Sequence, residues 1–270
     1  MTLFLPQQPG TVLLVGAGPG DLGLLTVTGL RALERADVIV ADRLGARSVI
    51  DQLETERGAP LDAEIIDVGK LPGHHPVPQS GINDILITQA KLGRRVVRLK
   101  GGDPFVLGRG GEEVIACRAA GVDVRVVPGV TSANSVPAVA GIPLTHRGVA
   151  TSYTVVTGHD QLSEIGGGRD HTVVVLMGVG TLINSAMVLA RSGRGDDCPV
   201  AIVEDGFGEN QRVTIGTLGD IAFRAARRGV RSPAVIVAGD VVTLSPYADG
   251  AFTQATEPAA AHAPELVRNP

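Results

Sequence analysis

The sequence predicts an α/β protein of two domains, the first with a mostly parallel sheet and the second with a mixed sheet. Short apolar, β-branched runs alternate with segments whose apolar residues recur at helical spacing. In the first half a helical segment separates each nearly continuous apolar run from the next, which is typical of a parallel sheet covered on both faces. Beyond about residue 141 fewer helical segments intervene, which indicates a mixed sheet.

The first domain is predicted to cover residues 11–127. Its strands are expected in the runs TVLLV, DVIVA, EIIDV, RVVRL and DVRVV, and its helices in segments such as GLRALERA and INDILITQA. Residues 128–140 are expected to form a helical linker. The stretch 126–145 has no charged residue, but prolines at 128, 137 and 143 argue against a lipid-exposed helix.

The second domain is predicted to cover residues 141–245. Strands are expected in SYTVVTG, TVVVLMG, PVAIVEDG, QRVTIGT and PAVIVAG, and helices in TLINSAMVLA and GDIAFRAARR. Residues 246–270 are rich in Ala and Pro without a period, and are predicted to be a disordered tail.

Composition excludes several classes of function. The 24 basic and 28 acidic residues give a formal net charge of −4, which argues against general nucleic-acid binding. Cys117 and Cys198 are far apart, and no acid or cysteine lies at ligand spacing from His74 and His75, so neither a disulfide framework nor a metal site is expected. The N-terminus lacks the features of a signal peptide, and a reducing, cytoplasmic setting without a membrane is expected.

The loop GAGPGDLG, residues 16–23, satisfies the dinucleotide spacing G-x-G-x-x-G, and Asp42 ends the next apolar run. A nicotinamide-dependent dehydrogenase is therefore an alternative. Pro19 removes a backbone donor from the turn, and Asp21 places a carboxylate where a pyrophosphate would lie. We expect a different ligand.

The stretch RLKGGDPFVLGRGGEE, residues 98–113, carries the strongest local signal. A strand is expected to end at Lys100, and two glycines then allow a ligand to approach the backbone. Pro104 biases Asp103 toward extended backbone, at the edge where open α/β sheets bind ligands. A plain tight turn is the alternative. Glu112 and Glu113 open a helix, where a capping role is favoured over catalysis.

The blocks VGAGPGDLGLLTVTGLRAL, VVRLKGGDPF, GRGGEE, VVPGVTSA, AGIPLTHR and SPAVIVAGDVV occur in the order found in a known family. Over roughly residues 11–245 the chain resembles the uroporphyrinogen-III C-methyltransferases of the tetrapyrrole methylase superfamily. The resemblance implies S-adenosylmethionine-dependent methylation of two pyrrole rings, which converts uroporphyrinogen III through precorrin-1 to precorrin-2 and releases S-adenosylhomocysteine. It also implies a homodimer with the cofactor in the cleft between two α/β domains.

The same resemblance implies a set of cofactor contacts, some apolar or backbone and some polar. Apolar surface and backbone partners suit an adenosyl group, while hydroxyls and a carboxylate suit its ribose and methionine ends. The residues concerned are Pro19, Gly101, Gly102, Asp103, Val106, Thr131, Ser132, Met177 and Gly206.

For catalysis, the resemblance implies Asp42 as the general base and Lys70 as an acid or substrate anchor. A turn acid and a solvated loop cation are the alternatives. A substrate with eight carboxylates requires a local cluster of donors, and arginine suits bidentate recognition. The candidate substrate residues are Arg43, Arg109, His146 and Arg147, with Arg47 nearby in sequence, although any of them can be an ordinary surface charge.

Three further alternatives remain open at this level. One is a later methylase of corrin synthesis, another is a ribosomal RNA ribose methylase of related architecture, and the third is a non-catalytic tetrapyrrole carrier. The GRGGEE and THR blocks favour uroporphyrinogen III as the substrate. The sequence leaves open whether the product enters siroheme, cobalamin or another modified heme.

Overall fold

The computed structural model describes residues 8–42, 45–69, 77–159 and 162–248. Within these ranges the chain forms two five-stranded sheets, one after the other along the sequence. The predicted disordered tail begins at residue 246, and residues 249–270 of it lie outside the described chain. The boundaries predicted for the two domains and the linker stay a prediction.

The first sheet has the strand order β3-β2-β4-β1-β5, and all its neighbouring pairs run parallel, which confirms the predicted parallel sheet. Each predicted run forms a strand, and the β-branched residues of the three central runs are buried on both faces. The strands are β1 (Thr11–Gly16), β2 (Val38–Ala41), β3 (Glu64–Asp67), β4 (Val96–Lys100) and β5 (Asp123–Val127).

Four helices cover the two faces of the first sheet: α1 (Val27–Arg35), α2 (Ala46–Arg57), α3 (Gln79–Lys91) and α4 (Gly110–Ala119). Apolar residues of α1 and α2, such as Leu33 and Ile50, pack with Val97 and Leu99. On the other face, α3 and α4 pack with Val96 and neighbouring strands. Because strand side chains alternate, residues 96, 98 and 100 of β4 all face α3 and α4.

The second sheet has the order β6-β7-β10-β8-β9, with β6 and β7 parallel and the other pairs antiparallel, which confirms the predicted mixed sheet. Its strands are β6 (Ser152–Thr157), β7 (His171–Leu176), β8 (Pro199–Glu204), β9 (Arg212–Thr217) and β10 (Ala234–Ala238). One face packs against α6 (Leu182–Leu189) and α7 (Ile221–Arg228).

A short helix, α5 (Ser132–Val139), connects the two sheets. It begins in the loop after β5, yet its residues Ala133 and Val136 are buried against Val174 and Val237 of the second sheet. The apolar stretch 126–145 is thus divided between β5, a loop and this helix. No helix in the described ranges is long and apolar enough to cross a membrane.

Candidate active site

Three glycine-rich loops meet at the carboxyl edge of the first sheet. Gly18 and Gly102 exchange two backbone hydrogen bonds, with N···O distances of 3.2 and 2.7 Å. A Cβ atom on Gly16 would lie 2.5 Å from Cα of Gly129, and one on Gly129 would overlap the carbonyl oxygen of Gly102. Only glycine permits this approach, so the backbone itself forms the surface at this edge.

Asp103 ties two of these loops together. Its Oδ1 accepts a hydrogen bond from the backbone N–H of Phe105 at 2.8 Å, and its Oδ2 accepts one from Gly129 at 2.9 Å. Both carboxylate oxygens therefore already brace the backbone of the predicted cofactor loop. Any contact with a ligand would come in addition to this bracing.

The start of α5 lies against the same loops. Thr131 caps the helix, since its Oγ1 accepts a hydrogen bond from the N–H of Ala133 at 3.3 Å. A Cβ atom built on Gly102 would lie 3.7 Å from the backbone nitrogen of Ser132. The half-buried residues Thr131 and Ser132 thus flank the Gly101–Asp103 loop.

One turn further along α5, Val136 contacts Gly206 of the second sheet, where a Cβ atom would lie 2.7 Å from Val136 Cγ1. Met177 follows β7, and Gly206 lies two residues beyond the end of β8. Both strands run antiparallel to β10, so their carboxyl ends share an edge. The side chain of Met177 is 54% exposed there.

Backbone conformation also distinguishes these loops. In the described chain five residues other than glycine have positive φ, a conformation that costs about 1–3 kcal/mol and concentrates at functional sites. All five belong to the loops after β4, β7 and β8: Leu107, Arg109, Met177, Asp205 and Phe207.

The predicted cofactor residues therefore form a connected set with one exception. Pro19 follows Gly18, Gly102 contacts Ser132, Val106 N–H bonds Asp103 O at 3.3 Å, and α5 leads to Gly206. No described contact joins Met177 to the first sheet. Glycine backbone, two hydroxyls and apolar side chains make a surface that fits an adenosyl ligand.

Asp42 follows β2 and lies beside the end of β4. Its backbone N–H bonds the carbonyl oxygen of Leu99 at 3.1 Å. Arg98 Nη2 donates to Asp42 Oδ1 at 2.5 Å, and Lys100 Nζ lies 3.6 Å from Oδ2. The Asp42 side chain is 35% exposed, whereas Arg98 is almost completely buried. Asp42 is therefore paired with two buried cations on one side and is exposed to solvent on the other.

Glu113 completes this cluster, and the capping role expected for it is wrong. Its side chain is fully buried, and Oε1 accepts hydrogen bonds from Arg98 Nε at 3.1 Å, Lys100 Nζ at 3.2 Å and Gln79 Nε2 at 3.2 Å. The packing of α4 on the sheet turns this face of its first turn inward. The missed signal in the sequence was the pair of alternating charges, Arg98 and Lys100, in an otherwise apolar strand.

The candidate substrate residues are dispersed. Arg109 bonds Glu112 at 2.8 and 2.7 Å, and this pairing raises the pKa of Arg109 and lowers that of Glu112. His146 and Arg147 lie in an exposed turn that no described hydrogen bond joins to Asp42. Arg47 pairs with Asp51 at 2.9 Å. The candidates Arg43 and Lys70 lie outside the described residues, as do His74 and His75, at which no metal site was expected.

The opening loop differs from a dinucleotide site in one respect. There the glycine turn leads directly into a helix whose N-terminus binds the pyrophosphate. Here Asp21 Oδ1 accepts from Gly23 N–H at 2.7 Å, a short 3-10 turn follows, and α1 begins only at Val27. Gln52 also donates to the carbonyl oxygen of Gly20 at 2.7 Å.

The chain is similar to proteins of known class. The family model of Tetrapyrrole (Corrin/Porphyrin) Methylases matches residues 11–222. A uroporphyrinogen-III C-methyltransferase of Methanocaldococcus jannaschii is 48% identical over 245 residues, which cover 87% of this chain and 98% of that protein. A siroheme synthase of Edwardsiella ictaluri is 46% identical over 250 residues, which cover 89% of this chain and 52% of that longer protein.

Among solved structures, uroporphyrin-III C-methyltransferase of Thermus thermophilus in complex with S-adenosylhomocysteine superposes with a TM-score of 0.71 at 38% identity. The match covers 87% of this chain and 99% of that one. The sequence blocks, the pair of sheets and these similarities agree, and the chain belongs to the tetrapyrrole (corrin/porphyrin) methylase family.

Proposed function

We propose that the protein transfers methyl groups from S-adenosylmethionine to two pyrrole-ring carbons of uroporphyrinogen III, giving precorrin-2 by way of precorrin-1. The observation that carries the proposal is the series of close approaches that leads from the Gly101–Asp103 loop through α5 to Gly206. It occurs in a chain that is 48% identical to a uroporphyrinogen-III C-methyltransferase over nearly the whole length of that enzyme.

Loops of both sheets would hold the cofactor. When bound, S-adenosylmethionine supplies an electrophilic methyl group on a sulfonium. The Gly101–Asp103 backbone and the hydroxyls of Thr131 and Ser132 would fix its polar ends. The adenosyl group would contact the apolar or backbone surface of Pro19, Val106, Met177 and Gly206.

Asp42 is the proposed general base. After a ring carbon gains a methyl group the macrocycle must lose a proton, and a partly exposed carboxylate at this edge can accept it. Asp42 is partly exposed at the carboxyl edge of the first sheet, close to the Gly101–Asp103 loop. Lys70 is proposed as an acid or substrate anchor. Orientation of the two reactants supplies much of the remaining acceleration.

The substrate carboxylates require cations at the rim of this edge. Arg109 is exposed in the loop that follows Asp103, and a substrate carboxylate would replace Glu112 as its partner. Arg43, His146 and Arg147 are proposed to contribute further contacts. This assignment is consistent with a protein whose overall charge of −4 does not itself attract an anion.

We also propose a homodimer that acts in the cytoplasm and supplies precorrin-2 for siroheme or cobalamin synthesis. The siroheme synthase relative, of which this chain spans about half, supports the siroheme branch. Light scattering tests the dimer directly: twice the 27.8 kDa chain mass is expected, and a single chain mass at micromolar concentration would refute it.

The function is tested by mass spectrometry of the product formed from uroporphyrinogen III and S-adenosylmethionine under reducing conditions. The expected product carries two added methyl groups, with two molecules of S-adenosylhomocysteine formed for each tetrapyrrole. Omission of S-adenosylmethionine is the control. An unchanged tetrapyrrole would overturn the proposal, and methylation only of a later corrin intermediate would favour the alternative methylase.

A further inference from the structure

Four charged side chains form a cluster under the candidate site, here called the β4 charge cluster: Asp42, Arg98, Lys100 and Glu113. Two cations and two anions balance one another. Arg98, Lys100 and Glu113 are each at least 95% buried, and only Asp42 reaches solvent. Among the described residues this is the one place where three buried charges share partners.

Stability alone does not account for such a cluster. Removing a charge from water costs several kcal/mol, and apolar residues of similar volume often replace a buried ion pair with no loss of stability. Val96, the preceding residue on the same face of β4, is apolar and well packed. The charges begin where the strand approaches the candidate site, which points to a role in the site.

The contacts of Arg98 leave its guanidinium little freedom. Nε donates to Glu113 at 3.1 Å, and Nη1 donates to the carbonyl oxygens of Val40 at 3.2 Å and Leu99 at 3.1 Å. Nη2 donates to Asp42 Oδ1 at 2.5 Å. Because two of these partners are strand backbone, Arg98 fixes Asp42 relative to the sheet.

The two oxygens of Asp42 are therefore not equivalent. Oδ1 accepts the short hydrogen bond from the guanidinium, whereas Oδ2 is paired with Lys100 Nζ at the longer distance of 3.6 Å. An oxygen outside the strong hydrogen bond is the one able to accept a proton. The direction in which Oδ2 points depends on how Arg98 is held.

We propose that Arg98 is a positioning residue, held by Glu113, which orients Asp42 so that Oδ2 accepts the proton that the macrocycle loses after methylation. The inference depends on the proposed function, since it concerns the same base. In that step a C–H or N–H bond elsewhere on the macrocycle breaks, its electron pair cancels the positive charge left by methylation, and the proton passes to Oδ2 and later to water. Arg98 is too deeply buried to touch the substrate.

Arg98→Lys tests the proposal because it keeps the charge and removes the fork. The kcat for methylation is expected to fall about 10- to 100-fold, the scale of a misplaced catalytic group. The KM for uroporphyrinogen III and the affinity for S-adenosylhomocysteine are expected to change by about twofold at most, since other residues are proposed to contact these two ligands.

The decisive comparison places Arg98→Lys in an Asp42→Asn background. If Arg98 acts through Asp42, the second substitution has no base to misplace and kcat should fall no further. A full additional loss in that background would mean that Arg98 acts through packing, and would overturn the inference. Should Arg98→Lys fail to bind S-adenosylhomocysteine, Glu113→Gln is judged by the same criterion, with a smaller expected loss.

Arg194→Lys is the matched control. Arg194 is also 1% exposed, but it donates to the carbonyl oxygens of Ile165 and Gly166 beneath the second sheet. Its substitution should lower the melting temperature and leave kcat unchanged. An unchanged kcat in Arg98→Lys would overturn the inference and leave the proposed function standing. If the wild-type enzyme left uroporphyrinogen III unmethylated, the proposed function itself would be refuted.

Discussion

The first sheet buries Arg98 and Lys100 on the same face of one strand, whereas Arg194, buried in the segment that follows α6, donates to the backbone carbonyls of Ile165 and Gly166. Glu204, the other deeply buried charge of the second half, pairs with Arg212, which is 43% exposed. Each of these two buried charges in the second half therefore has a partner close by, which is backbone carbonyls for Arg194 and a partly exposed arginine for Glu204. In the first half it is gathered at the strand ends, where a carboxylate reaches the candidate site.

Topology explains part of this difference. In a fully parallel sheet all strands deliver their carboxyl ends to one edge, so the loops after β1, β2 and β4 meet. In the mixed sheet, β10 runs against its neighbours and only the ends of β7 and β8 flank its start. The first sheet can therefore supply both the glycine backbone of the proposed cofactor loop and the proposed base, and the second would contribute the Met177 and Gly206 loops.

The largest effect is expected from the two aspartates of the first sheet. Asp42→Asn keeps the shape of the side chain and removes the proposed base, so turnover should fall about 10²–10⁴-fold while S-adenosylhomocysteine affinity survives. Asp103→Asn removes one of the acceptors that brace the cofactor loop, so affinity and turnover should weaken together. Calorimetry and steady-state kinetics on both variants measure this.

Near wild-type turnover in Asp42→Asn would mean that Asp42 is a turn residue. The first sheet would then supply no base, as the second sheet supplies none in the proposed function. Equal losses of affinity in both variants would also contradict the division of roles.

A smaller effect is expected where loops pack backbone against backbone. Gly129→Ala forces a Cβ atom onto the carbonyl oxygen of Gly102, and should lower the free energy of unfolding by about 3 kcal/mol. Gly206→Ala meets only the Val136 side chain and should cost less. Gly111→Ala, in open space on α4, should be neutral or stabilising by about 0.5–1 kcal/mol.

Urea unfolding of the three variants gives the order. If Gly206→Ala lowered the free energy of unfolding as much as Gly129→Ala, the loop after β8 would be packed as tightly as the loops of the first sheet, contrary to this expectation.

The smallest effect concerns the opposite, amino edge of the first sheet. Hydrogen bonds from Arg95 lower the pKa of Asp37 to about 2. A depressed pKa stabilises the fold above the unfolded value of 3.8, and this stabilisation is lost as pH falls toward 2. Since both side chains are 37% exposed, Asp37→Asn should cost only about 1 kcal/mol at pH 7.

Urea unfolding of wild type and Asp37→Asn across this range provides the test. The difference between them should shrink below pH 4, and a difference independent of pH would show that the charge of Asp37 contributes nothing.

The sequence was sufficient to predict the strands, because apolar β-branched runs followed by loops rich in glycine or proline identify them in both sheets. The loop after β4 was likewise predictable from its glycines. Glu113 was not, since acids in a first helical turn favour the dipole wherever they point, and only the packing of α4 buries this one. Arg98 and Lys100 could have been recognised as charges at alternating positions of a buried strand.

In the proposed function, loops of both sheets build one cofactor site. Hydrogen exchange with and without S-adenosylhomocysteine tests it most directly. Bound S-adenosylhomocysteine should slow exchange in residues 101–106 and 129–132 of the first half and around Met177 and Gly206 of the second. Protection confined to one sheet, or to residues 18–23 alone, would contradict it.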